Sequence, residues 1–317
     1  MKSAAFFYDA EGADRAVAIE DGLAFDQVGE RQLVWFDIDA EDGETLDLVS
    51  GRLGVPKEAL QVQDGRASQG VAVYDKLIAF KLTRAGIANQ PITFILGDQW
   101  LVTVHKGAVA YFEEFRDRDR GESLLGRLTP LALAGSLIDW HLEEFHQEVE
   151  QIQRRLDELD SQILHQRSRK SPLVELTKLR RSTSRLRSRL EWHRPLVHGI
   201  LRPDFYPAAD EAQSDFFHTL ESHFDRAEEA LDRARELVVG SFDLYATRTA
   251  QNTNDLVRAL TIVTVAIGLS AALAGVFGMN FDIPFFHTGI LGFLIVTGAM
   301  ISVALALFWV ARRQNWL

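Results

Sequence analysis

Near the C-terminus two long stretches carry no charge, and they restrict what this chain can fold into more than any other feature. The last charged side chain before them is Arg258; residues 259–281 hold no Asp, Glu, Lys or Arg, Asp282 interrupts, and 283–311 hold none, with His287 the one titratable group. About 20 apolar residues cross a bilayer, so the segment is expected to hold two spans, at 259–277 and 289–310, joined by a loop of about ten residues. Adjacent uncharged runs of this length are rare in soluble domains. Arg248 and Arg258 precede the first span, Arg312 and Arg313 follow the second, and the loop has no Lys or Arg. The positive-inside rule then puts both termini in the cytoplasm. At the other end, residues 1–8 are followed at once by Asp9 and Glu11, which leaves no apolar core for a secretory signal.

The rest of the 317 residues suffices for a soluble domain of roughly 250 residues. The absence of cysteine fits a reducing compartment and rules out disulfides and thiolate metal sites. The net charge of −11 is unevenly spread: residues 1–64 hold 15 acids against 5 bases, residues 161–200 hold 10 bases against Glu175 and Glu191, and 210–236 turn acidic again. Alternating blocks do not make the single basic face that a nucleic-acid binder presents. The basic block reads as a solvated helix paired against an acidic one.

Short runs of β-branched and aromatic residues predict strands over 4–8, 33–38, 77–82, 92–96 and 100–105, with Gly97-Asp98-Gln99 as a hairpin turn. Helices are expected over 44–53 and 56–63, the second opening on Pro56. From about residue 122 the pattern is helical. Leu142, Phe145, Val149, Ile152, Leu156, Leu159 and Ile163 recur in steps of three and four, as a heptad seam does. A looser seam follows at Leu173, Leu176, Leu179, Thr183, Leu186 and Leu190, then a turn at Pro203 and Pro207. A third seam runs from Phe217 through Leu220, Phe224, Ala227, Leu231, Ala234, Val238 and Ser241 to Tyr245. No proline or turn cluster separates it from the first span, so one helix of roughly 60 residues, about 95 Å long, is expected to pass from cytoplasm into bilayer. A rod of that length needs partners, which points to an oligomer.

Carried into the first span, the same rhythm marks Asn254, Val257, Thr261, Thr264, Gly268, Ala271, Gly275 and Gly278. Apart from Val257 the stripe is small or polar. It suits close helix packing, and it equally suits a pore wall where hydroxyls and backbone meet water; a symmetric assembly allows both. The stripe ends in Phe277-Gly278-Met279-Asn280-Phe281.

Gly-Met-Asn at the end of the penultimate span, a short loop with Pro284, and a second span closing in Ala311-Arg312-Arg313-Gln314-Asn315-Trp316-Leu317 together resemble the CorA family of divalent-cation channels. Asn252, Thr253, Asn254 and Leu260-Thr261 resemble that family's entry to the first span, and Thr103-Val104-His105 echoes its cytoplasmic domain. The resemblance implies an α+β cytoplasmic domain with long stalk helices and two C-terminal transmembrane helices, assembled as a funnel-shaped homopentamer in the cell inner membrane. It implies domains at 1–121 (α/β), 122–258 (stalk), 259–310 (membrane hairpin) and 311–317 (basic tail). Asn280 would form a ring at the outer mouth, with Gly278 turning the backbone there and Met279 in a structural role. Mg²⁺ sheds water reluctantly and prefers oxygen, so neutral amides holding the hydrated ion bind weakly enough to release it.

Three departures from the family pattern bear on the ion. Gly268-Leu269-Ser270 stands where members usually have proline, and Ile283-Pro284-Phe285-Phe286 replaces a loop that usually carries an acid, leaving Asp282 alone. Cytoplasmic acids that sense Mg²⁺ have no clear counterpart; Asp215, Glu221 and Asp225 lie in the corresponding part of the stalk. These departures lean toward the ZntB-like branch, which handles Zn²⁺, so Mg²⁺ with Co²⁺ or Ni²⁺ stands as the first expectation and Zn²⁺ as the second. His141/His146, His193/His198 and His218/His223 are each five apart, about 140° off a common helix face, and so read as structural; His287 beside the mouth is the exception. With no Gly-rich phosphate loop, Gly-x-Ser-x-Gly elbow or His-Glu-x-x-His helix, the chain is not expected to be an enzyme. A membrane-anchored scaffold or sensor that does not conduct is the rival from another class.

Overall fold

A computed structural model describes residues 3–23, 28–29, 31–60, 71–74, 77–86, 90–118, 123–165, 171–200, 211–279 and 289–313. The chain forms two compact units, one of Met1–Leu159 with Leu173–Gly240, the other of Asp160–Pro172 with Ser241–Leu317.

The first unit is built on a seven-stranded sheet. Its strands are β1 (Ala4–Asp9), β2 (Arg15–Val17), β3 (Gln32–Asp39), β4 (Ala72–Tyr74), β5 (Leu77–Thr83), β6 (Pro91–Leu96) and β7 (Trp100–His105), in the order β2-β1-β3-β7-β6-β5-β4. Only β3 and β7 run parallel, with Trp35 opposite Leu101 and Asp37 opposite Thr103; the other pairs are antiparallel. The five strands expected from the sequence are all present. The short outer strands β2 and β4 were not expected, because three residues are too few to show an alternation.

Alternation along the strands gives the sheet two apolar faces. One holds Ala5, Phe7, Val34, Phe36, Ile38, Ala79, Ile95, Val102 and Val104, in a core completed by Ile19, Val49, Val55, Ala59 and Leu60. These last come from α1 (Ile19–Leu23), α2 (Gly43–Leu53) and α3 (Lys57–Leu60) with their flanks. Asp42 caps α2, accepting from the Thr45 N–H at 3.2 Å, and the helix stops at Gly54, whose φ of +67° favours glycine. Hydrogen bonds from the Ser3 hydroxyl and from Thr45 hold the Asp42 carboxyl below its ordinary range. Of the expected 56–63 helix, α3 covers Lys57–Leu60, and 61–63 lie outside the described residues.

The opposite face carries Trp35, Phe80, Leu82, Phe94 and Leu101, all buried. Here α4 (Ala110–Arg118) adds Phe112, whose ring meets Trp35 edge-on at 5.1 Å. The long helices follow: α5 (Pro130–His165), α6 (Pro172–Glu191), α7 (Arg194–Ile200) and α8 (Glu211–Phe277). Every seam residue expected on α5 from Leu142 to Ile163 is buried, as is every one on α8 from Phe217 to Ser241. On α6 the seam is narrower than expected: Leu176, Thr183, Leu186 and Leu190 are buried, whereas Leu173 is 43% exposed. Arg187 reaches Asp232 at 3.0 Å and Arg194 pairs with Glu228, so part of the basic block is matched by the acidic one. Pro203 and Pro207 lie outside the described residues.

The second unit contains the C-terminal part of α8 and α9 (Ile290–Arg313). As expected, α8 is unbroken, 67 residues long, about 100 Å at 1.5 Å per residue.

Candidate functional site

Both apolar segments are helical and long enough to cross a bilayer. In the most apolar stretch of α8, 0% of residues are buried, and in that of α9 only 6%. A soluble core helix would be mostly buried. Leu260, Ile267, Ile290 and Phe293 are instead 66%, 64%, 81% and 70% exposed, and such surfaces require lipid or neighbouring helices.

Burial splits the membrane part of α8 into two faces. Ala259, Ile262, Ala266, Ser270 and Leu273 are half-buried, as are Val296, Met300, Val303 and Leu307 on α9. Both series step by three and four, the pattern of helices packed side by side. Thr261, Thr264, Gly268, Ala271 and Gly275 are all exposed. At about 100° per residue their mean direction lies about 180° from the half-buried face. The small and polar stripe thus points away from the face of α8 that is half-buried among the described residues. A Cβ added at Gly268 or Gly275 meets nothing within 4 Å, so no contact among the described residues requires glycine there. Thr261 donates its hydroxyl to the Val257 carbonyl at 2.8 Å, leaving oxygen lone pairs free to face outward. Asn254 is exposed further back on α8.

Gly278 closes this helix. Its N–H donates to the Ala274 carbonyl at 2.8 Å, and Met279 N–H reaches Val276 O at 3.4 Å. A Cβ on Gly278 would stand 2.9 Å from that same Ala274 oxygen, so the close approach of backbone to backbone is what calls for glycine. Asn280, Asp282 and His287 lie outside the described residues.

The stalk acids do not converge. Glu221 pairs with His198 of α7 at 2.8 Å and faces His218 at 3.8 Å. The Asp215 carbonyl accepts from Thr219, and Asp225 is exposed. Among the described residues no three His, Cys, Asp or Glu side chains come together to hold a metal.

The histidines find partners that spacing along the chain could not reveal. His141 of α5 and His193, between α6 and α7, meet with ring centroids 5.2 Å apart. His141 Nε2 donates to the Thr83 carbonyl at 3.2 Å, and His193 Nε2 accepts from the Thr83 N–H at 2.8 Å. The two rings satisfy the end of β5, which is a structural role, as expected. Burial, with His141 alongside, pushes the His193 imidazole well below its ordinary 6.5. Thr103 and His105 likewise serve the interior. The Thr103 hydroxyl donates to Asp37 Oδ1 at 2.9 Å, His105 Nε2 lies 2.7 Å from the same oxygen, and Arg116 donates to Asp37 Oδ2 at 2.8 Å. The Thr103-Val104-His105 run is therefore half of a buried network whose other half, Asp37 and Arg116, the sequence did not single out.

Known proteins agree with this architecture. The CorA of Thermotoga maritima, named a cobalt/magnesium transport protein, is 21% identical over 243 residues, spanning 76% of this chain and 69% of that protein. The full-length CorA magnesium transporter structure from Methanocaldococcus jannaschii superposes with a TM-score of 0.69 at 17% identity, covering 100% of this chain and 99% of its own. Full-length CmaX gives 0.70, also at 17% identity, over 99% and 98% of the two chains. At these identities the structural likeness shows the fold: a mixed α/β N-terminal domain, a long stalk helix and two C-terminal membrane helices. The sequence profile of the family described as "CorA-like Mg2+ transporter protein" runs from residue 30 to residue 313. This chain belongs to that family.

Proposed function

We propose that the chain is the protomer of a homopentameric channel that carries Mg²⁺, with Co²⁺ and Ni²⁺ as further ions, across the inner membrane. In this reading α8 lines the pore with Asn254, Thr261, Thr264, Gly268, Ala271 and Gly275, and the Gly278-Met279-Asn280 run forms the outer mouth, Asn280 facing the hydrated ion. Residues 1–121 form the cytoplasmic α/β domain, 122–258 the stalk region, 259–310 the hairpin and 311–317 the basic tail, with both termini in the cytoplasm. The observation that supports it most directly is the direction of the stripe. It lies opposite the half-buried face of α8 and is exposed along its length, and a Cβ added at Gly268 or Gly275 meets no atom within 4 Å among the described residues. Copies arranged about an axis would bring five such stripes together. The driving force suffices: a divalent ion gains about 4–5 kcal/mol on crossing about 100 mV.

Uptake into proteoliposomes tests this. Mg²⁺ flux is expected in the wild-type protein and a loss of about tenfold or more in Asn280→Ala, where the ring of amides that replaces second-shell water is gone. Flux unchanged by the substitution removes Asn280 from the mouth, and absence of any flux favours the non-conducting scaffold. A Zn²⁺ arm with an imposed pH gradient addresses the second reading, which rests on the Ile283-Pro284-Phe285-Phe286 loop and the missing proline near Gly268. Zn²⁺ entering faster than Mg²⁺, and faster still with the gradient, replaces the first reading by the second.

A further inference from the structure

Three helices of the first unit pack against one another. α5 meets α8 where Asp139 pairs with His223, and α6 meets α8 where Arg187 reaches Asp232 at 3.0 Å. α5 meets the end of α6 where the Phe145 and His193 rings stand 5.8 Å apart. Each helix therefore keeps one face turned away from the other two. On α6 that face holds Val174, Lys178, Arg181 and Arg185, all exposed and stepping by four, three and four. At about 100° per residue its mean direction lies about 155° from that of the buried Leu176, Thr183, Leu186 and Leu190. On α5 the free face carries Glu150 and Asp157, also exposed and about 120° from the mean of the buried Leu142-to-Ile163 seam.

The two faces are opposite in charge and incompletely neutralised. Arg181, Arg185 and Asp157 form no ion pair among the described residues. Lys178 is held by Glu175 one turn away at 2.8 Å, and Glu150 is met by Arg154 of its own helix at 3.5 Å. Val174, 55% exposed, gives the basic face an apolar end.

The faces also share a height. Arg189 of α6 donates to the Ala85 carbonyl, and a Cβ on Gly86 would stand 3.0 Å from Glu148 Oε1 of α5, so Arg189 and Glu148 are level, as are His193 and Phe145. Counting up both helices from these pairs, at 1.5 Å per residue, puts Arg181 level with Asp157 and Arg185 within about 5 Å of the height of Glu150.

The inference rests on the assembly reading, in which α8 lines the axis. With α8 innermost, α5 and α6 lie outside it and alternate around the ring. The free face of α6 in one copy then meets the free face of α5 in the next. Rotation about an axis along the helices preserves height, so charges level within one chain are level between chains. A contact of one face with a different face is the kind that closes a ring. We propose that the basic face of α6 docks on the α5 face of the neighbouring copy, pairing Arg181 with that copy's Asp157 and Arg185 with its Glu150.

The chain has no cysteine, so single introduced cysteines report proximity. Full-length Arg181→Cys and Asp157→Cys chains, differently tagged, are co-expressed and treated in detergent with a short bis-maleimide. A linked product carrying both tags is expected, since neither chain holds both positions. Arg181→Cys with Glu143→Cys is the control: Glu143 lies about 21 Å from Asp157 along α5, and no link is expected. Co-purification of the two tags reports assembly separately. Tags that co-purify without a link, or an equal link in the control, overturn this interface, leave the oligomer standing and free the basic face for another partner. Tags that do not co-purify overturn the interface and the assembly together. Charge reversal gives a second arm. Arg181→Glu with Arg185→Glu should lower the yield of assembled protein in native mass spectrometry by about threefold. Adding Glu150→Arg and Asp157→Arg to the same chain should restore it. No loss, or a loss that the second reversal does not restore, overturns the pairing. None of these outcomes depends on whether the membrane helices conduct.

Discussion

Exchanging the hydrogen on Gly278 for a methyl group places a carbon 2.9 Å from the Ala274 carbonyl oxygen, an oxygen that also accepts the Gly278 N–H. Backbone there must shift, and Asn280 follows two residues later. Gly278→Ala is therefore expected to cut Mg²⁺ flux by about tenfold or more while leaving the melting of the soluble unit unchanged; proteoliposome uptake beside a thermal melt checks both. His193 supplies a residue-scale prediction in pH. Its folded pKa is depressed below the 6.5 of the free side chain, so above that pH both states are neutral and its contribution to stability is complete. As pH falls below 6.5, the unfolded chain takes up a proton that the folded chain refuses. Stability is lost at up to about 1.4 kcal/mol per pH unit, until the folded imidazole itself titrates. Melting temperatures of the full chain between about pH 7.5 and about pH 5.5 should fall, and fall less steeply in His193→Asn, whose side-chain oxygen can still accept from the Thr83 N–H. An identical slope in the variant would show that other groups set it.

Among the elements, those with a long repeating pattern were legible in the sequence. The seams of α5 and α8 repeat over several heptads, and every seam residue from Leu142 to Ile163 and from Phe217 to Ser241 found a buried place, with Tyr245 half-buried. β7 matches its expected range because a run of aromatic and β-branched residues is bounded by a Gly-Asp-Gln turn and by Lys106-Gly107. Three- to nine-residue pieces such as β2, β4, α1 and α4 were not legible. Their formation depends on the surface they cover, as when Phe112 of α4 lies against Trp35 and Phe94. The first membrane helix carries a prediction of its own. Gly268 and Gly275 have open space around them in the single chain, so Gly268→Leu and Gly275→Leu should leave the protomer folded while blocking close approach between copies. Cross-linking in membranes is expected to show loss of higher species with unchanged circular dichroism. Unchanged assembly would mean that the stripe faces lipid or a wide aqueous space.

For the molecule as a whole, the proposed function makes stability and activity properties of an assembly. Exposed apolar side chains along α8 and α9 suit lipid or neighbouring helices, and in the proposed pentamer the exposed stripe faces the other copies. Native mass spectrometry of the detergent-released protein should give five times the 35.6 kDa chain mass. A dimer or monomer that still conducts would separate conduction from five-fold symmetry.

By itself the sequence determined the membrane hairpin, the continuity of the stalk with the first span, and the family resemblance centred on Gly278-Met279-Asn280. Each of these is written in residues adjacent in the chain or repeating every three to four positions, where local geometry converts order into placement. Tertiary structure alone decided which face of α8 the stripe occupies relative to α8's half-buried face, because that depends on what packs against the helix. It also decided that His141 meets His193, and that Thr103 and His105 converge on Asp37 from 66 and 68 residues away. Those pairings arise from strand order and helix docking, which bring distant residues together wherever a buried polar atom must find a partner.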